Sequence, residues 1–503
     1  MKKGLVLLLL CALCLGALTG CGDIAIGPAP AAPSAESGSA SAPAAPASGG
    51  IEPAGVSVIT LSGSGAKASG GGVSVSGSVV TIASPGEYSV SGTLDDGCIV
   101  VNTGEVKGDV RLTLDGASVT CLSGAAIRVE QAKNFDLVLA DGTQNRLVSG
   151  TQSVTVDEKL EGAALFSEDD VDILGSGSLE ICGYLNNGIT CKDDLDILSG
   201  TLTVTAVNNG IKGSESVEIS GGSLAVTAGN DGIKSSSAKK EGKGFVTISG
   251  GSITVSAGGD GIAAETDLTV TGGEVQVTTH GERELVSCKA LKAKGTLTVS
   301  GGTLDIDSAD HAIHSAADIR IDGGTLTVVS RAGKGLSAHS SLEIADGFVD
   351  VISADDGVEA HDTLTISGGG LRLLAGADGL KAGSKNAPGA GTLLIAGGSV
   401  TLSAHADPID AKGGAVITSG SFSGVGTPKT PKGFSSDSSQ RSLLFAFNGA
   451  GDTAAEVRTA DGTVVGAIEA RCGYTCAIFS HPELESGTYS LNCRTLTAYA
   501  DAS

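Results

Sequence analysis

Charged side chains recur in this chain at a fixed interval, and the interval decides what they can do together. A turn of the form Asp/Asn-Gly-aliphatic occurs at Asn187-Gly188-Ile189, Asn209-Gly210-Ile211, Asp231-Gly232-Ile233, Asp260-Gly261-Ile262, Asp356-Gly357-Val358 and Asp378-Gly379-Leu380. Lys289, His311, Lys334 and Asp407 fall in the same register. Copies that stack as neighbouring strands lie about 4.8 Å apart. Calcium holds oxygens at about 2.4 Å, so two ligands on opposite sides of one ion have about that same separation. Two groups therefore qualify as calcium sites. One is Asn209, Asn230, Asp231 and Asp260; the other is Asp355, Asp356, Asp378 and Asp407, with Glu359 close by. Lys212, Lys234 and Lys381 follow three of the turns and are candidate charge-assisted donors to the carboxylates of a bound sugar. Asp and Asn also precede Gly simply because they tolerate tight turns, and that accounts for any single copy. Several copies in register expect a cation between them.

These groups need a scaffold that repeats. A Gly-Gly turn followed by an alternating strand recurs at Gly221-Gly222, Gly250-Gly251 and Gly301-Gly302. From the second glycine to the turn Asp or Asn is nine residues, and from there to the next Gly-Gly is thirteen, a coil of twenty-two. Extra residues enter after Asp231, after Asp378 and before Lys289, always at a corner, as expected of surface loops on a fixed scaffold. Each coil holds three short apolar alternations, such as Val246-Thr247-Ile248, Ile253-Thr254-Val255 and Gly261-Ile262. Strands this short bury a face only when coil stacks on coil. No stretch of ten residues keeps a helical period, which disfavours a doubly wound fold. The expected fold is all-β, a right-handed single-stranded parallel β-helix, or solenoid, over residues 51–440. Residues 441–503 carry longer strands, around Leu443–Phe447 and Thr488–Leu491, and read as a small C-terminal β cap over the open edge.

The N-terminus points to export. Lys2 and Lys3, an apolar run from Leu5 to Leu18, and Leu18-Thr19-Gly20-Cys21 form a lipoprotein signal over residues 1–20 with Cys21 as the lipidated residue. Residues 21–50, mostly Ala, Pro, Ser and Gly, read as a tether. The expected location is the extracellular face of the cell membrane, or the outer membrane in a two-membrane bacterium, reached through the N-terminal lipid only. A formal charge of -24 repels phosphate backbones and leaves nucleic acid out as a partner. Cys98 and Cys121 are about one coil apart and can stack or bridge; Cys472, Cys476 and Cys493 cluster near the end. Spacing does not give connectivity, and no pair has zinc-finger spacing with matching histidines.

The runs Asn208-Asn209-Gly210-Ile211-Lys212, Asn230-Asp231-Gly232-Ile233-Lys234 and Ile248-Ser249-Gly250-Gly251 resemble the repeats of bacterial carbohydrate-binding domain-containing proteins. The resemblance covers nearly the whole exported chain. It implies a right-handed parallel β-helix that binds calcium and acidic polysaccharide, related in fold to calcium-dependent pectate lyases. Lys289, His311 and Lys334 depart from the turn pattern in three consecutive coils and divide the acidic groups into separate sites.

Three functions follow from these residues. The leading one is calcium-dependent binding of an acidic, uronate-type polysaccharide by a monomer, without cleavage. Trp is absent and aromatic residues make up 3%, so flat platforms for neutral sugar rings are scarce. The rival is a polysaccharide lyase using Lys334 or Lys289 as the base beside calcium. A β-helical glycosidase is disfavoured, because the Asp355-Asp356 pair lacks a Gly-His-Gly or Arg-x-Lys partner. The third is a structural surface adhesin or spacer.

Overall fold

In the computed structural model, residues 55–106, 108–150, 162–384, 390–451, 454–493 and 496–502 are described. The signal segment, Cys21 and the tether lie outside the described residues. The described residues belong to one compact unit, Pro53–Ser503. Every regular element among them is a strand, and none is a helix long and apolar enough to cross a membrane.

The strands form sheets of 26, 15 and 4 members, and the two large ones are built almost wholly of parallel pairs. The chain is a β-helix-like solenoid. One coil shows the plan, with strands Phe245–Ile248, Ser252–Ala257 and Ile262–Ala264 as its three sides. Each side pairs with the same side of the coils before and after: Val246 with Val217 and Leu268, Ile253 with Leu224 and Val275, Ile262 with Ile233 and Leu291. These are the three alternations read from the sequence.

Successive side chains on a strand face opposite ways, so in register each column is wholly inside or wholly outside. On the 15-stranded side the inward column runs Ile189, Ile211, Ile233, Ile262, Leu291, Ile313, Leu336, Val358, Leu380, Ile409, and every member is buried. The residue after each faces outward. That outer column is Thr190, Lys212, Lys234, Ala263, Lys292, His314, Ser337, Glu359, Lys381 and Asp410.

Glycine works differently at the two landmarks. Gly302, second of its Gly-Gly pair, has φ +87°, and a Cβ there would come within 2.8 Å of the Gly273 carbonyl oxygen. Gly232, after the turn Asp, has no positive φ; its Cβ would meet the Gly261 carbonyl oxygen at 2.6 Å. The first glycine is needed for its backbone angle, the second for close approach between coils. The extra residues lie at corners, with 236–244 leaving after Ile233–Ser235 and 280–288 preceding Leu291–Ala293. Those after Asp378 fall partly outside the described residues.

At the far end, strand Tyr474–Ser480 runs antiparallel to both Gly414–Gly426 and Ser442–Gly451. The four-stranded antiparallel sheet, with strands Ala455–Thr459, Val464–Ile468, Thr488–Cys493 and Leu496–Asp501, lies beyond it in the chain. Phe445, Tyr474, Phe479 and Leu491 belong to a second core there.

Because each inward residue touches only its own and adjacent coils, the core is continuous but locally intolerant. Ile262→Ala is expected to cost about 2–5 kcal/mol as a cavity between two coils, read as a lower denaturant midpoint. Thr269→Ala, on an outward position at the start of the next coil, is expected to shift stability by no more than about 0.5 kcal/mol. Equal losses in the two variants would contradict the inward and outward assignment.

Candidate functional site

The turn residues stack as one column along the 15-stranded side. Backbone N–H groups of Gly188, Gly210, Gly232, Gly261, Gly335, Gly357 and Gly379 donate to the carbonyls of Asn209, Asp231, Asp260, Lys289, Asp356, Asp378 and Asp407. The two acidic groups are therefore stretches of a single ladder.

Within the ladder one side-chain atom of the Asn, His and most Asp copies does the same task. Asn187 Oδ1 accepts the N–H of Asn209 at 3.0 Å, and Asn209 Oδ1 that of Asp231 at 3.3 Å. Asp231 Oδ1 accepts from Asp260 at 2.9 Å, and Asp260 Oδ1 from Lys289 at 2.9 Å. Asp356 Oδ1 accepts from Asp378, and Asp378 Oδ1 from Asp407, both at 3.2 Å. His311 fills the same place, its Nδ1 accepting the N–H of Lys334 at 2.9 Å. That bond fixes Nδ1 as the unprotonated nitrogen, and burial, the largest influence, holds the imidazole below its usual range.

The other carboxylate oxygen meets an ammonium group. Lys234 Nζ lies 2.6 Å from Asp231 Oδ2, and Lys292 Nζ 2.7 Å from Asp260 Oδ2. Lys381 Nζ lies 2.8 Å from Asp356 Oδ2 and 3.2 Å from Asp378 Oδ2, with Lys334 Nζ 3.5 Å from the former. Asp260 and Asp356 are only 3% and 2% exposed. Burial disfavours the Lys381 charge, but the hydrogen bond to Asp356 and the charges of Asp356 and Asp378 outweigh it and raise its pKa. The cations between these carboxylates are thus lysines, and Lys234 and Lys381, in the outer column, are paired with the ladder's own charge. Lys212 stands in the outer column between Thr190 and Lys234. Asn230 donates its amide to Asn209 Oδ1 at 3.2 Å.

At one end the column opens into a cleft of ≈ 510 Å³. Lys334, Asp355, Asp356, Glu359, His361, Asp378, Lys381, Asp410 and Lys412 line it. Lys334 also binds Glu359, and Lys412 holds Asp410 at 2.7 Å. Asp407, one coil on, is raised in pKa by burial and then by the charges of Asp378 and Asp410.

Sequence reasoning missed a second acidic array on the 26-stranded sheet. Asp136, Asp172, Asp196 and Glu218 are register partners on four successive coils, and beside them Asp170, Asp194 and Ser216 form a parallel column. The signal was present as Asp170-Val171-Asp172-Ile173 and Asp194-Leu195-Asp196-Ile197, whose alternating acids face outward together. Asp170, Asp193 and Asp194 bring carboxylate oxygens within 4.8 Å of one another and could hold a metal ion. Lys240 and Lys243, from the 236–244 loop, reach Asp193, Asp194 and Glu215. Burial and then the hydrogen bond to Glu215 push Asp193 up to about 6. Burial and then the charges of Glu218 and Asp172 push Asp196 up to about 6. Asp196 Oδ1 has no hydrogen-bond partner among the described residues.

A family model described as carbohydrate-binding domain-containing protein matches residues 76–332 and 323–444. The chain belongs to this family. A carbohydrate-binding domain-containing protein of Acetivibrio thermocellus is 36% identical over 129 residues, which are 25% of this chain and 45% of the relative. The chain therefore spans under half of that relative's length. A solved polysaccharide lyase-like protein from C. thermocellum, a gadolinium derivative, is 35% identical and aligns over 48% of this chain and 96% of its own, with a TM-score of 0.44. The carbohydrate-binding match takes in the whole turn column, the cleft and the second acidic array.

The raised carboxyl of Asp196 makes stability depend on pH in a definite direction. A carboxyl with a folded pKa above its unfolded value binds its proton more tightly in the folded chain, so its contribution is full below about pH 4 and is lost as pH rises through about 6. Asp196→Asn is expected to melt a few degrees above the parent at pH 7, with the difference closing at pH 4. Equal melting temperatures at pH 7 would contradict the stacked-carboxylate account.

Proposed function

We propose that this carbohydrate-binding chain holds an acidic, uronate-type polysaccharide at the cell surface, with calcium and without cleaving it. The observation behind this reading is the cleft, where Lys334, Lys381 and Lys412 are interleaved with carboxylates of the same and neighbouring coils, Asp356, Glu359 and Asp410 among them buried. A polymer that repeats a carboxylate offers Lys334, Lys381 and Lys412 new partners through charge-assisted bonds. A uronate that draws Lys381 away leaves Asp356 and Asp378 adjacent at coil spacing, the separation calcium bridges. Calcium and polysaccharide then bind together, each strengthening the other. The Asp231 and Asp260 pairs with Lys234 and Lys292 offer the same exchange further along. Asp170, Asp193 and Asp194 are the position for calcium in the absence of sugar.

The lyase reading is the second choice. Its two candidate bases are engaged: Lys289 Nζ lies 3.0 Å from Asp310, and Lys334 is shared by Glu359 and Asp356. A base for β-elimination needs an amine free to take a proton. The reading is completed by right-handed coils, a protective cap formed by residues 441–503, and a monomer tethered through lipid at Cys21.

Polygalacturonate retention, measured with calcium and with chelator, tests the binding. Lys381→Ala with Lys412→Ala is expected to weaken retention at least tenfold. Asp356→Asn with Asp378→Asn is expected to remove its calcium-linked part and keep the fold. Retention unchanged in both double variants would sink the mechanism, and unsaturated uronate released by the parent would replace it with the lyase. The anchor has its own test: Cys21→Ala is expected to move the protein from the membrane fraction to the medium, and continued membrane association would rule out lipid at that residue.

A further inference from the structure

Cys98 and Cys121 lie away from the turn column, the cleft and the second acidic array, at a corner between two successive coils. Strand Cys98–Asn102 begins the 15-stranded side of one coil, and strand Val110–Cys121 ends the preceding side of the next. Two bonds clamp the corner around them. The Gly97 N–H donates to the Thr120 carbonyl at 2.8 Å, and the Leu122 N–H to Asp96 Oδ1 at 3.1 Å. The first bond joins the residues that immediately precede the two cysteines, and the second holds Leu122, just after Cys121, to the same corner, so the two thiols share it. The upper corner is also longer: eight steps separate Val119 from Ile127 where their partners Leu94 and Ile99 are five apart. The added residues, at 123–125, fold back on Cys121, and a Cβ on Gly124 would lie 3.7 Å from its sulfur.

We propose that Cys98 and Cys121 are an oxidant-responsive thiol pair that closes into a disulfide across this corner. The two thiols lie close enough that each is the other's largest influence. That influence, helped by the backbone of Ser123 and Gly124 and opposed by burial, brings Cys121 down to about 6, whereas the same influence and burial raise Cys98. Cys121 is the nucleophile and Cys98 the resolving thiol. Other cysteines are placed differently: Cys191 bonds the carbonyls of Asp169 and Asp194, and Cys182 meets Glu180 and Arg146.

Cys121 is 8% exposed, so the oxidant must be small, and a peroxide fits. The Cys121 thiolate attacks one peroxide oxygen, the O–O bond breaks, and hydroxide leaves to take a proton as water. The resulting sulfenic acid is attacked by the Cys98 sulfur, which gives up its proton. The S–O bond breaks, the S–S bond forms and a second water leaves. Two thiols are oxidised and one peroxide is reduced.

Hydrogen peroxide added to the purified full-length protein, followed by non-reducing peptide mapping, tests this. The expected result is loss of two thiols per chain, one cross-linked peptide joining Cys98 to Cys121, and recovery of both thiols with dithiothreitol. Cys98→Ser is expected to stop at a sulfenic acid on Cys121, trapped by dimedone, and Cys121→Ser to leave Cys98 as an unmodified thiol. A cross-link between other cysteines, no thiol loss, or dimedone trapped on Cys98 instead would overturn the proposal. Far-ultraviolet circular dichroism of each variant, matched to the parent, shows that the fold persists.

Discussion

Coil-to-coil hydrogen bonding governs this molecule. A side of three to six residues cannot satisfy its own backbone, so each coil must present its N–H and C=O groups to the next at one fixed spacing. Once the spacing is fixed, equivalent side chains have no choice of neighbour. Ile233 lies between Ile211 and Ile262, and the benefit compounds along the core. Asp231 lies between Asn209 and Asp260, and there the same rule is a cost. Two unit charges about 4.8 Å apart repel by roughly 3–4 kcal/mol at an effective dielectric constant of about 20. The pairing of Lys234, Lys292 and Lys381 with this column answers that cost, and on the second array the raised pKa of Asp196, which has no lysine partner among the described residues, answers it another way.

How much of this could be read beforehand follows from the same rule. Register was legible because glycines mark both landmarks, and the positions read from Asn187 to Asp407 do stack in one column. The inward and outward alternation was legible because a period of two survives even in strands of three residues. The partners of charged groups were not. Lys234 binds Asp231 of its own coil, but Lys381 also reaches back to Asp356 of the coil before, and Lys292 reaches Asp260 across an inserted loop. Sequence spacing fixes which column a lysine joins, not which neighbouring coil its four-carbon stem leans toward. The array from Asp136 to Glu218 went unread because it carries no glycine landmark, only acids alternating with the buried residues of a strand.

The departures at Lys289, His311 and Lys334 gain a physical sense when the turn position is seen as having two tasks, accepting the next coil's N–H and carrying charge. Asn performs the first alone, as Asn187 and Asn209 do. Asp performs both, and each added copy raises the charge of the ladder. Neutral His311 accepts through Nδ1 and adds no negative charge. Lys accepts nothing but supplies the cation, Lys289 to Asp310 and Lys334 to Glu359 and Asp356. An uninterrupted run of Asp from Asp231 to Asp407 would accumulate repulsion faster than side chains of its own coils could offset it. The three central coils break that run. Asp260 and Asp356, the acids next to the break, are also the most deeply buried of the ladder. Lys292 reaches Asp260 from the next coil, and Lys334 and Lys381 reach Asp356 from the coils on either side, which lets an ionised carboxylate be withdrawn from water. At the outer end Asp378 meets Lys381 alone and Asp407 has no ion pair among the described residues, and both stand nearer the solvent. A ligand that competes for lysine therefore acts first at the cleft end of the column, where the ion pairs meet water.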